Sequence, residues 1–194
     1  MAARLAFDRV ACLRGDRLLF EGLSFALEPG AAALLTGPNG AGKSSLMRIA
    51  AGLLPASAGT VERVGGIAFA GESAALDPRL PLADALGFWA RIDGGSSEDV
   101  ARALERMAIA NLAQVPVRML STGQRKRAAL ARVIAGRAGL WLLDEPGNGL
   151  DTASIDRLAA AMAAHRAAGG IVVVATHQPL ALPGAVEIPL GARR

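Results

Sequence analysis

The chain has 194 residues, 52% of them hydrophobic and 20% charged, and its 21 basic and 17 acidic side chains give a formal net charge of +4. That size and apolar share predict one domain with a proper core and exclude a mostly disordered chain. A single cysteine, Cys12, excludes an internal disulfide framework and a cysteine-built zinc site, and no charge-free window of about 18 apolar residues predicts a membrane span.

In chain order, Leu5 to Leu13 and Leu23 to Leu27 read as strands, with Gly15-Asp16 as a turn between them. The opening residues lack the apolar stretch of a secretory signal, so a cytosolic, reduced protein is expected. Ala31 to Thr36 is a short apolar run that stops at a glycine-rich loop, and Ser44 to Leu54 then carries Leu46, Ile49, Ala50 and Leu53 at helical spacing. Thr60 to Ala70 reads as a strand pair broken by Gly65-Gly66. The middle third changes character: Ala83 to Arg91 and Glu98 to Met107 are predicted helices, within a helical insert from Gly71 to about Met119. Strand logic returns with helix Gln124–Ala138, buried strand Leu140–Leu143, alanine-rich helix Ser154–Ala168 and apolar run Ile171–Ala175. Short buried strands alternating with helices predict a parallel sheet covered on both faces.

Gly37-Pro38-Asn39-Gly40-Ala41-Gly42-Lys43-Ser44 fits G-x-x-x-x-G-K-[ST] without mismatch, between a predicted strand and a predicted helix. The glycines let backbone N–H groups turn inward around phosphate oxygens, and the helix N-terminus adds positive potential. Lys43 is expected on the β- and γ-phosphates and Ser44 on Mg²⁺. Ser45, next in line, belongs to the same nucleotide-binding set. Leu140 to Leu143 ends in Asp144-Glu145, two acids at the carboxyl end of a buried strand. Asp144 fits a Mg²⁺ partner acting through water, and Glu145 fits the group that polarises the attacking water. His177 follows another apolar run and can face the same crevice, near the γ-phosphate and that water.

The charge carries less information. Only Lys43 and Lys126 are lysines, the arginines are scattered apart from one local basic cluster, Arg125-Lys126-Arg127, beside a motif with its own explanation, and seven aromatics make a poor base-stacking platform, so no direct nucleic-acid partner is expected.

Leu120-Ser121-Thr122-Gly123-Gln124 at a predicted helix start would alone be a cap. With the phosphate loop, the strand acids, Asn148-Gly149-Leu150-Asp151 and His177, it resembles the signature of the ATP-binding cassette family, L-S-G-G-Q, and the resemblance covers essentially the whole chain. It implies an α/β P-loop NTPase with a mixed sheet and an inserted helical subdomain. Residues 1–71 and 120–194 would form the nucleotide core and 72–119 the helical part. It also implies ATP and Mg²⁺ as cofactors, integral membrane transporter subunits as partners, and a head-to-tail dimer with a second copy. In that dimer Ser121 and the backbone N–H of Gly123 close the partner's ATP site, with Asp151 in the crossing loop. Arg14 stands where the family offers an aromatic to adenine, and Glu72 where it has a glutamine, leaving a carboxylate that could ligate Mg²⁺. Thr122 replaces one of the two signature glycines, the one before Gly123; a β-branched residue disfavours positive φ. The segment around Gly59 to Gly66 is short for the family, so one edge hairpin is expected to be trimmed.

Three strings are similar to the ATP-binding subunits of bacterial cytochrome c maturation haem exporters: Arg14 to Phe25, Val115 to Arg127, and Gly169-Gly170 with Thr176-His177-Gln178. That similarity implies a peripheral ATPase on the cytoplasmic face of the inner membrane. The competing readings are the ATPase of another small transporter, a soluble cassette acting on nucleic acid or the ribosome, a regulatory module with a weakened site, and a P-loop kinase. The soluble cassettes need a coiled-coil insertion or a second cassette. Intact Lys43, Asp144, Glu145 and His177 oppose a regulatory module, while Thr122 and Glu72 favour it, and a kinase leaves the signature unexplained.

Overall fold

The computed structural model describes residues 3–71, 74–177 and 180–191. Glu72 and Gln178 lie outside the described residues.

Among the described residues, eight strands form two sheets. Strands β1 (Arg4–Arg14), β2 (Arg17–Leu27) and β4 (Ala58–Val64) make an antiparallel sheet in the order β2-β1-β4. Strands β3 (Ala32–Thr36), β5 (Ile67–Ala70), β6 (Leu140–Asp144), β7 (Ile171–Ala175) and β8 (Val186–Pro189) make a parallel sheet in the order β5-β6-β7-β3-β8. Antiparallel and parallel strands are thus both present, segregated rather than merged. β4 and β5 are adjacent in sequence, yet they join different sheets. β2 begins six residues earlier than expected, because Gly15 (φ 57) closes a tight hairpin that pairs Arg14 with Arg17.

β3, β6 and β7 are buried on both faces, which explains their unbroken apolar runs. Their side chains alternate between two cores. Trp141, Leu143, Val172 and Val174 face the core shared with α2 (Leu82–Ile92), α3 (Ser97–Arg106), α4 (Thr122–Ala135) and α5 (Thr152–Ala167). Leu140, Leu142, Ile171 and Val173 face the core shared with α1 (Lys43–Ala50) and the antiparallel sheet. α2 and α3 share the first core with the strands. Arg132 of α4 reinforces this junction: its guanidinium lies 4.9 Å from the Trp89 ring of α2 and donates to the Phe69 carbonyl of β5.

Local chemistry sets the helix limits. α1 ends at Ala50, four residues short of the expected Leu54, where Gly52 turns to φ 74 and Leu53 becomes exposed. Ser96 and Asp99 form a capping box at the start of α3.

His165 stacks on Trp141 at 4.0 Å and its Nε2–H donates to the Gly139 carbonyl at 3.2 Å. A Cβ on Gly170 would lie 2.1 Å from His165 Nε2, so the imidazole accounts for that glycine. Burial pushes the His165 pKa down, while hydrogen bonds to the Gly139 and Ile171 backbone oppose the shift. A folded pKa below the unfolded value of about 6.5 gives stability that is present above that value and lost as pH falls through it. Thermal melts should therefore show the wild type losing stability from about pH 7.5 to pH 5.5, and His165→Phe losing less. Equal losses in the two proteins would remove His165 as the cause.

Candidate active site

The carboxyl ends of β3, β6 and β7 lie side by side, with Leu35 level with Ala175 and Ala175 level with Asp144. This is the edge where parallel sheets hold ligands.

The phosphate loop leaves β3 at Thr36 and enters α1 at Lys43. Pro38, Asn39 and Gly40 are exposed, while Ala41, Gly42 and Lys43 are buried. Gly37 sits at φ 132 with its missing Cβ aimed at the Leu190 carbonyl, and Gly42 caps α1 in the left-handed region at φ 104. No side chain caps α1 and no acid occupies its first turn, so its free N–H groups and positive end are left for an anion. Lys43 Nζ donates to the carbonyls of Gly37 at 2.7 Å and Pro38 at 3.1 Å. Ser45 lies beside Cys12, where its hydroxyl favours the thiolate against the opposing effect of burial.

The Ser44 hydroxyl lies near the Asp144 carboxylate and favours its charged form. Burial raises the Asp144 pKa, and the Glu145 charge adds to this; the Ser44 hydrogen bond, Arg48 and Lys126 pull it back. A hydroxyl and a carboxylate facing one groove, with the charged form short of solvation, are a hard-oxygen pair that suits a small divalent cation.

Glu145 follows Asp144 at φ 48, a conformation that costs a side-chain-bearing residue on the order of 1–3 kcal/mol. The surroundings hold it there. Its N–H donates to the Ala175 carbonyl at 2.8 Å, and its own carbonyl accepts from Lys126 Nζ at 2.8 Å. Its Oε1 lies 2.9 Å from His177 Nδ1, and its Oε2 is buried without a hydrogen-bond partner. Ser44, Asp144 and Glu145 line one open groove of about 1300 Å³ that runs toward Thr122 and Trp89.

Ser121 caps α4: its Oγ accepts from Gln124 N at 3.3 Å while Gln124 Oε1 accepts from Ser121 N at 2.8 Å. Thr122 is the first residue of that helix and is absent from the positive-φ residues, so its β-branch meets no backbone conflict. Asp151 caps α5 through Ser154 N at 2.8 Å, and its hydrogen bonds to Ser154 hold its carboxyl below the usual range. Ser121, Gly123 and Asp151 do not join the Ser44–Asp144–Glu145–His177 cluster; Ser121 and Asp151 are exposed. Arg14 is exposed at the end of β1.

Two residues escaped the sequence reading. Arg17, across the hairpin from Arg14, holds its guanidinium 3.9 Å from where a Cβ on Gly40 would sit. Lys126 read as part of a basic cluster, but the cluster is a set of carbonyl clamps: Arg125 donates to Leu120 O, Lys126 to Glu145 O, and Arg127 to Met107 O and Ala108 O. The only signal was the placement of Lys126 five residues after the helix cap.

The sequence profile of the ABC transporter family matches residues 20–148. A "Cytochrome c biogenesis ATP-binding export protein CcmA" from Sphingopyxis alaskensis is 58% identical over 98% of each chain. A protein of the same name from Novosphingobium aromaticivorans is 57% identical, over 89% of this chain and 88% of that one. Among solved structures, an ABC transporter ATP-binding protein from Pyrococcus furiosus superposes with a TM-score of 0.84 at 22% identity, covering 96% of this chain and 97% of that one. That last likeness speaks for the fold alone.

Proposed function

Since this chain belongs to the ABC transporter family, as an ATP-hydrolysing subunit similar to the CcmA proteins, we propose that it powers the haem-export complex of cytochrome c maturation. No described helix is long and apolar enough to cross a membrane. By its likeness to the CcmA export proteins, the subunit acts as a peripheral protein on integral membrane partners, at the cytoplasmic face of the inner membrane.

The observation that carries the catalytic reading is Glu145 Oε2, a buried carboxylate oxygen without a partner, beside the Ser44–Asp144 contact. Residues Gly37 to Ser45 hold the triphosphate through backbone N–H groups and the end of α1, and Lys43 exchanges its two carbonyl partners for phosphate oxygens. Ser44 and Asp144 would hold Mg²⁺, which supplies charge neutralisation at the β- and γ-phosphates. Glu145 accepts the proton of the attacking water, and His177, fixed on Oε1, orients that carboxylate and contacts the γ-phosphate. Arg14 takes the adenine face by guanidinium stacking.

The γ-phosphate charge spreads over several oxygens, and the phosphate loop covers one side. Ser121, Gly123 and Asp151 stand apart from this subunit's own cluster, at helix N-termini open to solvent. They serve the ATP site of a second copy in a head-to-tail dimer. ATP closes the dimer, hydrolysis opens it, and the segment from Glu72 to Met119 passes the motion to the membrane subunits.

The test is complementation of a bacterium lacking this gene and its equivalents, with affinity capture from detergent-solubilised membranes. Wild type should restore covalent haem in c-type cytochromes and bring down integral membrane subunits. Lys43→Ala should bring down the same subunits without restoring cytochromes. Full cytochrome maturation in the deletion strain would overturn the assignment to haem export.

A further inference from the structure

Glu145 needs a fixed backbone to aim its carboxylate, and it holds a left-handed conformation without being glycine. Three elements fix it. β7 accepts its N–H through Ala175, the turn after β7 holds its carboxylate through His177, and α4 reaches its carbonyl through Lys126 at 2.8 Å. The first two come from β7 and the turn after it, beside the strand that Glu145 follows. The third comes from a helix whose N-terminus carries Ser121 and whose far side packs on α2 and α3.

We propose that Lys126 is a positioning residue for the water-activating carboxylate, so that the placement of α4 governs whether Glu145 is aligned for hydrolysis. The inference rests on Glu145 being that carboxylate. The ammonium–carbonyl bond is partly buried, and Lys126 lines the groove that Ser44, Asp144 and Glu145 share. A charge-assisted bond in such a place is short and strong, and it acts on the peptide group next to the catalytic side chain. The residue that reaches Glu145 sits five positions after Ser121, the helix cap offered to a second copy. Engagement of Ser121 by the partner's nucleotide would thus be felt within this subunit as a shift of the Lys126 anchor. The link runs through one rigid helix and one hydrogen bond.

The test uses the full-length protein, its membrane complex where that is needed for turnover, and the variants Lys126→Met, Lys126→Arg and Glu145→Gln. Lys126→Met should lower kcat about ten- to a hundredfold while KM for ATP stays within about twofold, because the anchor touches the base and not the nucleotide. Lys126→Arg, which keeps a donor, should recover to within about threefold of wild type. Melting temperatures should match that of wild type. A wild-type kcat in Lys126→Met overturns the proposal, as does a lost kcat that tracks a lowered melting temperature and is not rescued by arginine. If Glu145→Gln still turns over normally, the assignment of the base itself fails. If Glu145→Gln is inactive and Lys126→Met is normal, only the role of Lys126 fails.

Discussion

Glu145→Gln should bind ATP within about twofold of wild type and lose at least about a hundredfold in kcat, the lower end of what a general base contributes. The amide keeps the size of the side chain and can still accept from His177 at the Oε1 position, so the site keeps its shape. It cannot take a proton from water. Nucleotide contacts come from Gly37 to Ser45 and are untouched. Equilibrium binding of a fluorescent ATP analogue, beside phosphate release, measures both quantities. ATP should also hold the variant as a dimer in light scattering, since closure is retained and opening is not. Turnover within a few-fold of wild type would remove Glu145 from its assigned role.

Gly37→Ala is the second change with a large expected effect. A Cβ there would sit 2.2 Å from the Leu190 carbonyl oxygen and 3.1 Å from its carbon. Both atoms are backbone, and Leu190 is tied in place by its N–H on Thr36 O at 2.8 Å. The φ of 132 is also unfavourable to any side chain. Overpacking and backbone strain together should cost about 2–5 kcal/mol, with ATP affinity falling at least about tenfold. Gly40→Ala is the control: its φ is 78, but its nearest neighbours are the Arg17 guanidinium nitrogens at 3.9 Å. It should cost only the conformational part, about 1–2 kcal/mol. Denaturant melts and ATP titrations on the two variants separate steric conflict from backbone preference. Equal losses would show that Leu190 does not constrain the loop.

The parts of the site legible in the sequence are those whose chemistry is local. The phosphate loop needs glycines at fixed spacing, and Asp144-Glu145 ends a strand whose burial on both faces leaves an unbroken apolar run. The unreadable parts depend on partners far along the chain. β8, Val186–Pro189, exposes three of its four residues and has no periodicity to betray it; only its pairing with β3 makes it a strand. Nothing near Gly65-Gly66 says that β4 and β5 enter different sheets. His165 stands in an alanine-rich helix with no local sign of its contacts: Trp141, on a strand 24 positions earlier, covers its ring, and the Gly139 carbonyl takes its Nε2–H. Lys126 reads as one charge among three because its acceptor is a carbonyl 19 positions away.

The strand that carries the phosphate loop, residues 32–36, takes both its neighbours from residues 171–175 and 186–189. During synthesis the glycine loop leaves the ribosome long before either neighbour exists. A nascent chain stalled before Leu190 carries every residue of the nucleotide motif but lacks the carbonyl against which Gly37 rests. The loop therefore takes its final seat between its two neighbouring strands only once residues 171–190 have been made and paired.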